Sequence, residues 1–258
     1  MKVVILAGGK GTRISEESQF KPKPMIEIGD MPILWHIMKI YSHYGYNDFI
    51  ICCGYKGYMI KEYFSNYFLR TSDVTFDFQN GGNIKIHNSI SEPWIVTLVD
   101  TGVETMTGGR IKRIQKYIEH GDTFFMTYGD GVSDVNIEQL VNFHWSKKKI
   151  ATMTVVQPGG RYGAVDIQKD GIVNRFVEKP QGDGGWVNGG FFVLNYEIFD
   201  YLNDDMEVFE KKPLETLAKN DGLVAYKHKG YWQSMDSMRD RVVLQNDWIE
   251  GVAPWKVW

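Results

Sequence analysis

Cysteine is nearly absent. The 258 residues hold only 2, the neighbours Cys52 and Cys53, inside the apolar run FIICCGY. A disulfide framework needs more cysteines, spaced apart, so this pair reads as two buried thiols on a core strand, with a reducing cytoplasmic location expected. A basic surplus is missing too. Lys and Arg number 29 against 32 Asp and Glu, a formal charge of −3, which argues against nucleic acid as a partner. No stretch approaches the roughly 20 apolar residues of a membrane span. The apolar start of MKVVILAGGKGTR ends at Ala7 in glycines and charge, unlike a signal peptide. His36, His43 and His144 fall in helical patterns without HxxxH or HExxH spacing, so zinc has no support. No Ser-His-Asp or Cys-His set stands out.

What is present is a core and a regular alternation. A hydrophobic content of 43% is enough for one large α/β domain, or a domain with a subdomain. KVVIL reads as a buried parallel strand. Pro32 opens a helix, ILWHIMKIYSHYG, closed by Gly45. Asp48 to Cys53 is a second buried strand, and Lys56 to Leu69 a second amphipathic helix. This order predicts right-handed βαβ units and a parallel sheet. VTFDF, NIKIHN and IVTLVDT, with QNGGN as a turn, predict an antiparallel insertion. Alternation resumes with the helix GGRIKRIQKYI, the strand TFFMTYGD, a helix over Asn136 to Lys148 and the strand IATMTVVQP. Beyond Gly163 come the strands GAVDIQ, GIVNRFVEK and WVNGGFFVLN. Helices near 196–202 and 213–219, the strand LVAYKHK and a last helix over Ser237 to Glu250 complete the chain. The fold class is α/β: a Rossmann-like mixed, mainly parallel sheet flanked by helices, with antiparallel β insertions.

Gly8-Gly9-Lys10-Gly11-Thr12-Arg13 follows the first buried strand directly. Glycines there let the backbone turn and approach a ligand, and successive N–H groups form an anion cradle. Arg13 adds a guanidinium fork suited to phosphate. The loop is neither GxxxxGK[ST] nor GxGxxG, since the third glycine is missing, and alone it is a weak signal. Lys21-Pro22-Lys23-Pro24 strengthens it, because two prolines stiffen the stretch that aims the lysines. The bland alternative is a solvated, proline-bounded loop.

LAGGKGTR, then KPKPM, then PIL opening a helix, resembles the signature of the sugar nucleotidyltransferases (nucleoside-diphosphate-sugar pyrophosphorylases). TYGD at 127–130, EKP at 178–180 and VNGGFFVL at 187–194 are similar to that family's later motifs, in order, over essentially the whole chain. The segments EIGDMPILWHIMKIYSHYG, FIICCGYKGYMIKEYF, VTLVDTG with MTGGRIKR, and APWKVW resemble the branch that uses CTP and glucose 1-phosphate. The resemblance implies a single domain over 1–258, with about 1–160 for the nucleotide and 161–258 for the sugar phosphate. It also implies Mg²⁺, a homo-oligomer that is hexameric, and a product, CDP-glucose, that feeds 3,6-dideoxyhexose and surface polysaccharide (O-antigen, lipopolysaccharide) synthesis.

Carried onto this sequence, the family's roles are as follows. Leu6, Ala7, Gly8, Gly9, Gly11, Thr12 and Gly129 line the nucleotide. Arg13 meets the outer phosphates, which leave as pyrophosphate. Lys23 stabilises the transferring phosphate, and Lys21 is the weaker candidate. Asp130 ends a buried strand, where ligands of open α/β sheets bind, and holds the metal. Asp236 is the second ligand, against the alternative that it merely caps the last helix. Thr105 and Arg110 contact the base, Arg110 by donating to a pyrimidine acceptor. Gly163, Glu178, Lys179, Asn188 and Gly189 bind the sugar phosphate. Three alternatives stay open: another nucleotide or sugar phosphate, a non-catalytic relative, and a Rossmann oxidoreductase that the missing third glycine disfavours.

Overall fold

The computed structural model describes residues 1–88, 91–158, 164–167, 173–177 and 185–258. Side chains of residues 13, 15, 16, 164–167 and 173–177 are outside the description.

In chain order the first elements are β1 (Val3–Ala7), α1 (Ser15–Ser18), β2 (Glu27–Ile28), β3 (Met31–Pro32), α2 (Ile33–His43) and β4 (Asp48–Cys53). Then come α3 (Gly57–Ser65), α4 (Tyr67–Thr71), β5 (Asp73–Asp77), β6 (Asn83–His87), β7 (Ile95–Asp100) and α5 (Thr107–Arg113). The middle of the chain holds β8 (Thr123–Tyr128), β9 (Gly131–Ser133), α6 (Ile137–Lys147), β10 (Ala151–Val156), β11 (Ala164–Ile167) and β12 (Val173–Val177). The last elements are β13 (Val187–Asn195), α7 (Lys212–Lys219), β14 (Leu223–Lys227), β15 (Trp232–Ser234) and α8 (Met238–Ile249).

The central sheet has seven strands in the order β14-β10-β13-β8-β1-β4-β7. β8, β1, β4 and β7 pair in parallel, as do β10 and β14, while β13 runs against both of its neighbours. β1 explains its own place. Its five residues are all buried, so it needs cover on both faces. Val3, Ile5 and Ala7 point into one core with Ile37 of α2, Leu140 of α6 and Leu244 of α8. Val4 and Leu6 point into the other, with Ile111 of α5 and Leu217 of α7.

The helix predicted over 56–69 is two helices, α3 and α4, because Asn66 at the joint leaves helical geometry (φ −105°, ψ 11°). IVTLVDT is not part of the antiparallel insertion: β7 pairs in parallel with β4 as the edge of the main sheet. Only β5 and β6 form the predicted hairpin. The helix GGRIKRIQKYI is cut to α5 and a 3₁₀ turn at Gln115–Tyr117, and the first of the two predicted late helices is a 3₁₀ turn at Tyr196–Tyr201. The short ladder between β9 and β15 had no signal long enough to read.

The predicted thiols are free and buried on β4, and burial pushes Cys53 up to about 11. His36, on α2, is a buried core residue. It lies among the rings of Trp35, Trp248, Trp255 and Trp258. Its Nε2 donates to the Ile28 carbonyl at 2.9 Å, and its Nδ1 accepts from Trp255. Burial lowers its pKa to about 4. Among the described residues no helix is long and apolar enough to cross a membrane.

Candidate active site

The ends of β1 and β8 meet the start of β13 at one edge of the sheet. Because β13 is reversed, its first residues, Val187 and Asn188, stand beside the last residues of its neighbours. A β-bulge follows, with Gly190 at φ 75° and Phe191 at φ 48°, and it shifts the register against β10. A cleft of about 600 Å³ occupies this edge. Of the predicted site residues, Leu6, Ala7, Gly8, Gly9, Gly11, Thr12, Lys23, Thr105, Arg110, Gly129, Asp130, Asn188, Gly189 and Asp236 all line it. Arg13 lies on the 3₁₀ turn Thr12–Ile14, with only its backbone described. Gly163, Glu178 and Lys179 lie outside the described residues.

Lys23 is the centre of the floor. It sits on a 3₁₀ turn behind Pro22, whose φ of −64° is the value its ring prefers. Only 8% of it is exposed. Its ammonium donates to Asp130 Oδ2 at 2.7 Å and Asp236 Oδ1 at 2.8 Å. Burial alone would lower the Lys23 pKa, but the two carboxylates more than offset it and leave it raised. Lys21, the weaker candidate, instead pairs with Glu27 at 3.4 Å and does not line the cleft.

The two aspartates are brought together by backbone. Asp130 directly precedes β9, and Ser234 of β15 is paired with Gly131. The Met235 N–H closes the ladder on the Asp130 carbonyl at 2.8 Å. Asp236 is not the helix cap. Ser237 caps α8 in a reciprocal capping box with Asp240. Asp236 accepts from Lys23 and from the Ser234 hydroxyl.

Arg110 is buried and committed to the protein. Nη1 donates to the Thr101 hydroxyl at 2.7 Å and to the carbonyls of Gly102 at 2.7 Å and Cys53 at 3.4 Å. Nη2 donates to the Gly8 carbonyl at 3.0 Å and that of Val103 at 3.4 Å. The guanidinium thus ties together the chain ends that follow β1, β4 and β7. A Cβ at Gly8 would lie 2.1 Å from Nη1, so the guanidinium in this place leaves room only for glycine there. The expected donation to a pyrimidine competes with these bonds. Lys10 bridges the cleft mouth to both Glu104 oxygens, at 2.7 and 2.9 Å.

The opposite wall holds residues that sequence reasoning missed. Glu210 accepts from the Thr107 hydroxyl at 2.6 Å and the Tyr128 hydroxyl at 2.6 Å. The Asn188 amide donates to the Tyr128 oxygen at 3.1 Å, and its carbonyl accepts from the Gly190 N–H at 2.9 Å. Trp232 donates to the Gly189 carbonyl at 2.7 Å. Burial, then the nearby Glu210 charge, push the Tyr128 phenol above its usual range. The segment carrying Glu210 docks on the start of α5 through backbone. The Gly108 and Gly109 N–H groups donate to the Glu207 carbonyl, and a Cβ at Gly109 would lie 2.6 Å from Asp205 backbone. The two glycines of MTGGR are explained by this contact. Tyr128 was legible as the neighbour of Gly129, but Glu210 carried no motif.

Ser133, Asp134 and His228 also converge, but both partners meet the same ring nitrogen, Nε2, at 3.1 and 2.9 Å. A relay needs the two ring nitrogens to face different partners, so no nucleophile is activated there.

The chain matches known proteins along its length. The family model described as Nucleotidyl transferase matches residues 2–238. Glucose-1-phosphate cytidylyltransferase of Salmonella typhi is 56% identical over 258 residues, covering 100% of both chains. A probable glucose-1-phosphate cytidylyltransferase of Bacillus subtilis is 44% identical over 260 residues, again with 100% of both covered. The crystal structure of HddC from Yersinia pseudotuberculosis superposes with a TM-score of 0.68 at 27% identity, covering 96% of this chain and 99% of that one.

Proposed function

The chain belongs to the nucleotidyl transferase family, and from that premise we propose that it transfers a cytidylyl group from CTP to α-D-glucose 1-phosphate, giving CDP-glucose and pyrophosphate. The observation that carries this reading is the full-length identity of 56% to a glucose-1-phosphate cytidylyltransferase. The cleft supports it with the chemistry such a transfer needs.

A phosphate oxygen of the sugar phosphate attacks the α-phosphorus of CTP, and the bond to the bridging oxygen of pyrophosphate breaks. The nucleophile is already anionic, so the protein chiefly positions the groups and offsets charge. Lys23 is the cation for the transferring phosphate. The backbone N–H groups of Gly9, Gly11 and Thr12 hold the triphosphate, and Arg13 meets the leaving pyrophosphate. Gly8 with Arg110 fixes the loop, while Thr105 and Arg110 bound the base pocket. Asn188 and Gly189 with Gly163, Glu178 and Lys179 hold the sugar phosphate.

Asp130 and Asp236 fit a divalent cation. Both carboxylates reach one ammonium nitrogen, so both can face one ion. Among the described residues no third acidic, histidine or cysteine ligand joins them, which suits Mg²⁺, an ion that keeps positions for phosphate oxygens and water. When bound, Mg²⁺ neutralises phosphate charge in the transfer. The protein is read as a cytoplasmic homo-oligomer, hexameric as the resemblance implies, whose product serves surface polysaccharide synthesis. The hairpin β5–β6 supports assembly: Phe78 is 84% exposed, with Phe76, Ile84 and Ile86 also exposed, and an isolated two-stranded hairpin gains stability from cover.

The test is pyrophosphate release from glucose 1-phosphate with CTP, UTP, dTTP, GTP and ATP in turn, with Mg²⁺ and with chelator. Metal-dependent release with CTP well above the others is expected. Release with another nucleotide only would overturn the CTP assignment, and none with any would overturn the reaction.

A further inference from the structure

We propose that Glu210 is a positioning residue for the sugar phosphate: through Tyr128 it fixes which way Asn188 presents its amide to the cleft. The inference rests on the proposed function, in which Asn188 binds the sugar phosphate.

The direction of every hydrogen in the chain Glu210–Tyr128–Asn188 is determined. A carboxylate only accepts, so the Tyr128 hydroxyl must donate to Glu210. The tyrosine oxygen is then left to accept, and the Asn188 NH₂ donates to it. The Asn188 carbonyl takes the Gly190 N–H, which only donates. Both ends therefore agree on one amide orientation. Glu210's other oxygen is held by Thr107, whose own oxygen accepts from the Phe209 N–H, so the carboxylate is anchored at the start of α5. Asn188 has two amide hydrogens and two carbonyl lone pairs. Among the described residues one of each is committed, which leaves one of each for hydroxyls of a ligand.

Replacing the carboxylate by an amide breaks this logic without changing size. Gln at 210 offers one acceptor to two hydroxyls. If its carbonyl faces Tyr128, the chain to Asn188 stands and the Thr107 hydroxyl loses its acceptor; if its NH₂ faces Tyr128, the tyrosine must accept, and its hydrogen turns toward the Asn188 NH₂. Asn188 then either flips, losing the Gly190 N–H, or loses Tyr128.

The experiment compares wild type, Glu210→Gln, Tyr128→Phe and the double variant by steady-state pyrophosphate release, with CTP and glucose 1-phosphate each varied. Urea unfolding of each variant reports folding. Tyr128→Phe is expected to raise KM for glucose 1-phosphate about tenfold, near the worth of one hydrogen bond, and Glu210→Gln to raise it by no more than that, while KM for CTP changes less than about twofold in both. The double variant should match Tyr128→Phe, because Glu210 acts on Asn188 only through Tyr128. A Tyr128→Phe enzyme with unchanged sugar-phosphate KM overturns the proposal. So does an equal rise in both KM values, which would make Glu210 only a staple between its segment and α5. If Glu210→Gln does not fold, Tyr128→Phe alone decides. A folded wild type that releases no pyrophosphate from these substrates is a different failure, that of the parent reaction, and the inference falls with it.

Discussion

The two walls of the cleft are built on different principles. The wall around Gly8 and Arg110 is backbone held by one side chain: a single guanidinium gathers four carbonyls from three strand ends and the Thr101 hydroxyl. The wall around Asn188 is side chain held by side chain, from Thr107 through Glu210 and Tyr128. Between them Lys23 joins Asp130 and Asp236. A wall of main-chain groups can be disturbed only by removing its tie, with damage to folding. A wall of side chains can be retuned one atom at a time.

The largest expected effect comes from the residue that belongs to neither wall. Lys23→Ala should lower kcat by about 100- to 1,000-fold, the usual loss on removing one charge-stabilising group, with KM for CTP changed only a few-fold. Single-turnover kinetics checks it, and an unchanged kcat would remove Lys23 from the chemistry.

Arg110→Lys asks whether the backbone wall depends on its tie. An ammonium cannot span the five acceptors, so buried carbonyls lose partners and unfolding free energy should fall by about 3 kcal/mol. Urea unfolding measures this. CTP binding should weaken along with stability, whereas the side-chain-wall variant Tyr128→Phe should separate the two. If Arg110→Lys left stability intact and weakened only CTP, the comparison would break, and direct donation to the base would replace the clamp.

A control lies behind both walls. His36 has a folded-state pKa of about 4, below the value of about 6.5 for an unfolded histidine. The unfolded chain therefore takes the proton first. Stability is complete above pH 6.5 and falls as pH drops from there toward 4, by about 2 kcal/mol at pH 5. Subtracting the urea-unfolding profile of a His36→Gln variant should isolate this slope, and its absence would show that the imidazole protonates in place. The smallest effect belongs to the cleft mouth. Lys10→Ala removes a pair whose side chains are 49% and 76% exposed, and stability should change by less than about 1 kcal/mol, least in high salt.

The sequence was sufficient for features written in short range. The apolar run of β1, the glycines after it, Pro32 before α2 and Asp130 after β8 are local signals, and each falls where its chemistry predicts. Periodicity also finds β7, but it cannot name a strand's partner, so IVTLVDT reads as part of the antiparallel insertion although it pairs with β4 in the main sheet. Residues 56–69 kept a helical pattern through Asn66, where the backbone breaks it.

What only tertiary structure decided is which distant groups meet. Asp236 could be a cap or a ligand by sequence. The β9–β15 ladder and the Ser237 capping box turn it to Lys23. The sequence places Arg110 near the base, and its five acceptors come from segments up to 102 positions away. Glu210 belonged to no motif and acquires a role only when its segment packs on α5. Local propensity and patterning are properties of neighbouring residues and survive in a string. Hydrogen-bond partnership depends on three-dimensional register, which the packing of the whole chain sets and a local pattern does not reveal.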